Sequence, residues 1–193
     1  MFEVEQTVKY LKGAVQNPEL TWNDYISENF DWKSTAVIIT LPMVVVSIFV
    51  NYVLAKFVFT SSGLAHIYTG ELFLKTMAFA LVSYFVFSYI LAFFSSKFGG
   101  EADYDNALAA SSLSAVPGAL GSALSSVPVV GWLISIVLSI YTLVLLYRCI
   151  PVFLKVPQHK RLFHFIVSVA VWIIIAGVLA TVFGVSMLGG LES

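Results

Sequence analysis

The chain carries between Asn106 and Tyr147 the stretch NALAASSLSAVPGALGSALSSVPVVGWLISIVLSIYTLVLLY, which contains no Asp, Glu, Lys or Arg. Its first half consists mainly of Ala, Ser and Gly, and its second half mainly of Val, Ile and Leu. One membrane span needs about 20 apolar helical residues, so the stretch is long enough for two spans. We expect the two spans to part at Pro128 and Gly131, because Pro and Gly disfavour a continuous helix.

The composition of the whole chain is that of an integral membrane protein. Of its 193 residues, 59% are hydrophobic and 11% are charged, whereas soluble domains carry about 25% charged residues. The net charge of −1 gives no basic footprint for nucleic acid, and we expect no nucleic-acid partner. The sequence shows no nucleophile–base pair, phosphate loop or cofactor motif, so we expect neither an enzyme nor a cofactor.

The hydrophobic pattern predicts an all-α fold, a polytopic membrane bundle of five transmembrane helices, because lipid offers backbone groups no hydrogen-bond partner. The predicted spans lie at about residues 34–57, 74–96, 105–127, 129–150 and 162–188. They form a membrane domain at 34–191 that follows a short amphipathic segment at 1–33. In that segment one helical face carries Val4, Val8, Leu11 and Val15. This face predicts either a membrane-surface anchor or partner-docking helix, or a segment that packs beneath the bundle.

The distribution of Lys and Arg predicts the orientation of the chain in the membrane. An N-terminus on the inside places eight Lys and Arg residues on the cytoplasmic side and two, Lys56 and Lys75, on the outer side. The positive-inside rule therefore favours an N-terminus in the cytoplasm and a C-terminus outside.

The small-residue half of the charge-free stretch predicts a central helix. Fourteen of the twenty residues at 107–126 are Ala, Ser or Gly, and such small side chains let helices in lipid approach closely. The predicted packing stripe consists of Ala107, Ser111, Ser114, Gly118, Ser122 and Ser125. Pro117, a further hinge position, indicates either a kinked packing helix or a broken helix beside a polar path. Asn51 and Tyr84, in the first two spans, are candidates for hydrogen bonds to the stripe.

Three acids, Glu101, Asp103 and Asp105, lie just before the charge-free stretch. Alternating carboxylates resemble part of a calcium or magnesium loop, but the full calcium-loop pattern is absent. We therefore favour acids in a first helical turn, with Asp103 or Asp105 as the cap, over a metal site. Arg148, at the other end of the stretch, either snorkels to the headgroups or pairs with these acids.

Motifs spread over residues 98–160 carry a family resemblance. The motifs are Phe98-Gly99-Gly100, Ala115-Val116-Pro117, Val127-Pro128 with Gly131, Ile140-Tyr141, Leu146-Tyr147-Arg148-Cys149-Ile150-Pro151, and Lys155-Val156-Pro157 with Lys160. With these motifs the chain resembles the Yip family of membrane proteins, most closely its short prokaryotic branch. The resemblance implies a five-helix membrane domain with a cytoplasmic N-terminus, here in the inner membrane of a prokaryote. It also implies an inner-face motif, which comprises Gly99, Gly100, Tyr147, Arg148, Pro151, Lys155, Pro157 and Lys160.

Eukaryotic members of the Yip family bind prenylated Rab-type GTPases. The chain departs from those members because it lacks their acidic–aromatic motif, and from prokaryotic relatives because it has Cys149 where they usually have Gly. The GTPase role is therefore not carried over to this chain.

The expected function is that of a non-enzymatic membrane scaffold or adaptor that acts through helix–helix contacts. Its expected partners are the lipid bilayer and either a second copy of the chain or another membrane protein. Two other functions stay open. The Ser-rich kinked third helix would suit a channel or carrier for a small solute or ion, and the inner basic loop would suit lipid binding.

Overall fold

The computed structural model describes residues 4–60 and 63–184, and these residues form helices and turns without a β-strand. Seven helices occur in this part of the chain: α1 (Val4–Gln16), α2 (Pro18–Ser27), α3 (Trp32–Phe59), α4 (Gly70–Lys97), α5 (Tyr104–Leu124), α6 (Val130–Phe153) and α7 (Gln158–Val182). Helices α3 to α7 are long and apolar enough to cross a membrane, which confirms the predicted all-α bundle of five spans. The predicted end of the last span, near residue 188, lies outside the described residues.

Helix α5, the small-residue helix, lies at the centre of the bundle. In its most apolar window 72% of the residues are buried, whereas the value is 28% or less in the other four long helices. It contacts α3, α4 and α6 along its length, and α1 also packs on it. Helix α7 packs instead against α4 and α6. Because lipid is as apolar as the side chains, helices associate through close contact and hydrogen bonds, and small residues permit both.

Helix α3 contains one wide, π-helical turn, Ala36–Thr40, near its beginning. Pro42 follows this turn, and a proline has no N–H to offer the carbonyl of Ile38, which its ring would also crowd. In the wide turn just before Pro42, the N–H of Leu41 donates to the Ala36 carbonyl, five residues earlier in the chain instead of the usual four.

Helices α5 and α6 part at the turn that contains Pro128, since α5 ends at Leu124 and α6 begins at Val130. Gly131 is required beside this turn, because a Cβ atom at that position would lie 2.0 Å from the Leu124 carbonyl oxygen. The break therefore falls where the sequence places its Pro and Gly.

Pro117 lies inside α5 and does not end the helix. The next backbone N–H, that of Gly118, donates to the hydroxyl of Thr142 on α6 at 2.8 Å. The backbone N–H that follows the proline thus forms a hydrogen bond between α5 and α6. The hinge role of Pro117 stays a prediction.

The N-terminal helix α1 turns a different face to the protein from the predicted one. Tyr10 and Ala14 are buried, whereas Val4 and Val8 are 62% and 55% exposed. The alternative that this face packs beneath the bundle does not hold at these two valines, because Tyr10 packs edge-on against Tyr25 of α2, at 4.9 Å between ring centres. That contact turns the two valines away from the bundle. A role of the exposed valines at a membrane surface or against a partner stays a prediction.

Candidate functional site

Two loops of the motif region, 98–103 and 154–157, meet at one end of the bundle, and we call the surface they form the motif face. Gly99 has a φ of +85°, a conformation that only glycine adopts without a steric cost. A Cβ atom on Gly100 would lie 2.4 Å from the Leu154 carbonyl oxygen. The glycine pair therefore lets the two loops pack backbone against backbone.

The Leu154 carbonyl is the centre of this contact. It accepts hydrogen bonds from the hydroxyl of Ser95 at 3.1 Å and from the N–H of Glu101 at 2.9 Å. The ammonium group of Lys155 pairs with the Glu101 carboxylate at 2.9 Å. Three bonds thus hold the end of α4 and the loop after it against the loop after α6. Two of them have a buried hydroxyl, that of Ser95, or a backbone N–H, that of Glu101, as the donor.

Arg148 pairs with Glu19 of α2. Its predicted pairing with the acids before α5 was wrong, and Lys155 makes the tie between the loops instead. The physical reason is the position of α2, which lies against α6 with the Trp22 ring 6.5 Å from that of Phe153. This packing brings Glu19 within reach of the arginine.

The three acids before α5 take separate partners. Asp103 caps α5, because its carboxylate accepts from the N–H groups of Asp105 at 2.9 Å and Asn106 at 3.2 Å. The Asp105 carboxylate accepts from the Trp32 N–H at 3.0 Å, and Glu101 pairs on the motif face. Among the described residues, no group of three His, Cys, Asp or Glu side chains is placed to hold a metal ion.

The other motif residues lie at or near the motif face. The Arg161 guanidinium stacks on the Tyr147 ring at 4.1 Å from its centre, which joins α7 to α6. Pro151 lies in the last turn of α6, and Pro157 directly precedes α7. Lys160 is exposed in the first turn of α7, and its Nζ would lie 3.8 Å from a Cβ on Gly99.

The first part of the packing stripe on α5 is buried against helices of the same chain. Its buried members are Ala107, Ser111 and Ser114. Ser111 shares a hydrogen bond of 2.7 Å with Ser88 on α4, and the neighbouring Ser112 shares one of 2.8 Å with Thr40 on α3. Hydroxyl pairs therefore join α5 to the helices on two of its sides.

The second part of the stripe bonds to Asn51 of α3. The Asn51 amide donates to the Ser122 carbonyl at 2.8 Å and to the Ser125 hydroxyl at 3.0 Å. This pair of bonds confirms the expectation that Asn51 reaches the stripe. Ser122 and Ser125 are otherwise exposed, so only this end of the stripe lies open at the surface.

A cavity of about 570 Å³ lies beside α5, between α3, α4, α6 and α7. Within residues 4–60 and 63–184, its lining combines apolar and hydroxyl side chains and contains no charged side chain. Four stripe residues, Ser111, Ser114, Gly118 and Ser122, line it together with Tyr84. Sequence reasoning missed this cavity, because it forms only when five helices pack together. The signal in the sequence was the set of single serines within otherwise apolar spans.

The comparisons with known proteins agree with this architecture. No curated protein and no solved structure matches the chain. The family model described as the Yip1 domain matches residues 12–184, which is most of the chain and includes all five apolar helices up to their last described residues. The chain is therefore a membrane protein that belongs to the Yip1 domain family.

Proposed function

We propose that the chain is a non-enzymatic membrane scaffold or adaptor, and that its partners contact the motif face. The observation that carries this proposal is the convergence of the motif residues. Residues far apart in the sequence, such as Gly100 and Leu154, lie in direct contact there and leave Lys97 and Lys160 exposed beside them. Such a locked surface loses little conformational entropy when a partner binds, which favours a docking role.

The proposal includes an orientation. The motif face lies on the cytoplasmic side of the inner membrane of a prokaryote, with the N-terminus inside and the C-terminus outside. Lys97, Lys155 and Lys160 belong to this end of the bundle, whereas the opposite end carries Lys56 and Lys75. The positive-inside rule favours this assignment. A C-terminal reporter that is active only in the cytoplasm should give no signal, and activity of that reporter would contradict the orientation.

The scaffold proposal is tested with two differently tagged copies of the chain in one membrane. We expect the copies to crosslink through residues placed on the motif face, and the double substitution Lys97→Glu with Lys160→Glu to remove most of this crosslinking. Lys56→Glu is the matched control, because Lys56 lies over the Tyr52 ring at 5.0 Å, much as Lys97 lies over Phe93 at 5.6 Å. A chain that gives no crosslink to a second copy or to another membrane protein from any motif-face position would contradict the proposal.

A second function, a channel or carrier for a small solute or ion, is favoured by the cavity beside α5. Its hydroxyl lining gives it some polar character, although apolar side chains contribute most of its wall. Flux through liposomes that contain the purified protein tests this alternative. Flux of an ion or osmolyte above that of protein-free liposomes would support it, and an absence of flux would leave the scaffold proposal as the better one.

A further inference from the structure

We propose that the cavity beside α5 is a binding site for a neutral lipid that carries an acceptor oxygen, such as the ester carbonyl of a diacylglycerol. The cavity volume, about 570 Å³, lies within the range of about 300–1,000 Å³ that is usual for small-molecule sites. Its walls extend from the middle of the spans, with Ser111 on α5, Thr142 on α6 and Trp172 on α7, toward the end of α5 at Ser122. The molecules at that depth are those of the bilayer, so the ligand comes from the lipid phase.

Two hydrogen-bond donors of the cavity wall have no partner among the residues that the structure describes. They are the hydroxyl of Ser83 and the indole Nε1–H of Trp172, and both atoms are buried. Ser83 as a whole is 7% exposed. An indole N–H can only donate, so the group that satisfies it must be an acceptor. A buried donor without a partner raises the free energy of the folded protein, because it has lost its hydrogen bonds to water. A ligand oxygen between these residues would accept hydrogen bonds from them and remove that free-energy cost.

The lining also decides the charge and the polarity of the ligand. Because no described Lys, Arg, Asp or Glu residue lines the cavity, an ionised ligand would lose its hydration without gaining a counter-charge. The Phe87 and Trp172 rings, 5.4 Å apart at their centres, form one apolar wall. Such a wall favours hydrocarbon. The site therefore fits a neutral, mostly apolar molecule better than an ion, a sugar or an anionic phospholipid.

This site is independent of the scaffold proposal, which concerns the motif face at the end of the bundle. Loss of crosslinking between copies would leave the lipid site untouched. Loss of lipid binding would leave the docking role of the motif face untouched.

The test uses the full chain in phosphatidylcholine nanodiscs with a photoactivatable diacylglycerol as the probe. We expect saturable labelling of the cavity-lining parts of α4 and α7, competition by unlabelled diacylglycerol, and no competition by anionic phosphatidylglycerol. Ser83→Ala combined with Trp172→Phe removes both donors and should weaken labelling at limiting probe by about five-fold or more.

Matched controls are available for both substitutions. Ser168→Ala removes a buried hydroxyl of α7 that has no partner among the described residues and does not line the cavity, and Trp132→Phe changes an exposed indole. Both controls should label like the unchanged chain. Equal labelling of the Ser83→Ala, Trp172→Phe chain and its controls would overturn the proposal.

A second variant, Ala80→Leu, fills the cavity from α4. It should lose labelling while its thermal unfolding stays cooperative, and full labelling of this variant would also overturn the proposal. If the variant fails to fold, the donor-removing pair decides alone. Labelling confined to exposed residues of α6, such as Val137 and Val144, would show contact with bulk lipid only and would contradict a specific site.

Discussion

Val129 adopts a strained conformation in the turn between α5 and α6. Its φ of +61° and ψ of −65°, with the Val130 N–H donating to the Pro128 carbonyl at 2.7 Å, form a γ-turn of the rarer kind. A β-branched residue at positive φ is an outlier, and a conformation of this kind costs about 1–3 kcal/mol. The side chain of Val129 is 71% exposed, so it gains little packing in return.

We expect Val129→Gly to raise the free energy of unfolding by about 1 kcal/mol. The reason is that the strain energy relieved in the folded state exceeds the free-energy cost of the greater conformational freedom of glycine in the unfolded chain. The measurement is the thermal unfolding of the detergent-solubilised protein. Val130→Gly is the control, since that residue begins α6 without strain and the change should destabilise the protein. A lower melting temperature for Val129→Gly would refute the strain argument.

Gly100 allows the two loops of the motif face to pack in close contact, because it has no Cβ atom. Gly100→Ala places a Cβ atom 2.4 Å from the Leu154 carbonyl oxygen, and we expect a loss of about 2 kcal/mol in the free energy of unfolding from this overpacking. Gly177→Ala is the matched control, because a Cβ there meets no atom within 4 Å. Alanine in a helix should raise stability there by up to about 1 kcal/mol. Equal melting temperatures for the two variants would contradict the close contact at Gly100.

Tyr25 makes the N-terminal segment sensitive to alkaline pH. Burial disfavours the phenolate and raises the pKa of Tyr25 to about 12, while the hydrogen bond to the Thr35 hydroxyl at 2.9 Å opposes part of this rise. Because the folded pKa lies above the unfolded value of 10.0, its stabilising contribution is complete below pH 10 and disappears between pH 10 and 12. As the pH rises from 8 to 12, the midpoint temperature of unfolding should fall less steeply for Tyr25→Phe than for the unchanged chain. Identical pH profiles would contradict the burial of this phenol.

Among the elements, α5 is the one whose role could be read from the sequence. Its many Ala, Ser and Gly residues predict close packing in lipid, and Ser111, Ser112 and Gly118 do bond to three different helices. The partner atoms could not be predicted, because they depend on how each neighbouring helix is rotated. The missed face of α1 has the same origin, since it follows from contact with Tyr25 and not from apolar spacing.

Helix boundaries also depend on features that a count of apolar residues does not include. Helix α4 begins at Gly70, earlier than the predicted span, because the Thr69 hydroxyl accepts from the Leu72 N–H at 3.1 Å and caps the helix. Glu71 and Lys75 then pair one turn apart at 2.6 Å. Glu71, in the first turn of α4, therefore lies outside the predicted span although it belongs to the helix.

Central packing of α5 makes it intolerant of larger side chains. We expect Ala110→Leu and Gly118→Leu each to lower the free energy of unfolding by about 2–3 kcal/mol, because Ala110 is 1% exposed and lies outside the cavity lining, and Gly118 lies against Thr142 of α6. At Gly118 even a Cβ atom would lie 2.8 Å from the Thr142 hydroxyl oxygen. Leu120→Ala is the control, since Leu120 is 49% exposed and its removal should cost little. Unchanged oligomer size and melting of the two leucine variants would count against the central position of α5.

At the scale of the whole molecule, four long helices surround or flank one small-residue helix, and the motif residues meet at one end. The sequence predicted the number of spans and the motif region, because both follow from hydropathy and from local Gly and Pro residues. It did not predict the Arg148–Glu19 pair or the cavity, because both depend on contacts between distant segments.

The position of α5 between α3 and α4 determines how the whole bundle is packed, and disulfide crosslinking in the native membrane tests that position directly. In a Cys149→Ala background, we expect Thr40→Cys with Ser112→Cys, and Ser88→Cys with Ser111→Cys, to form disulfides within one chain on mild oxidation. The reason is that the hydroxyl oxygens of these pairs lie 2.8 Å and 2.7 Å apart. The exchanged pair, Thr40→Cys with Ser111→Cys, should not crosslink, because adjacent residues of a helix point about 100° apart. Crosslinks only between chains, or equal yields from the matched and exchanged pairs, would contradict the central claim.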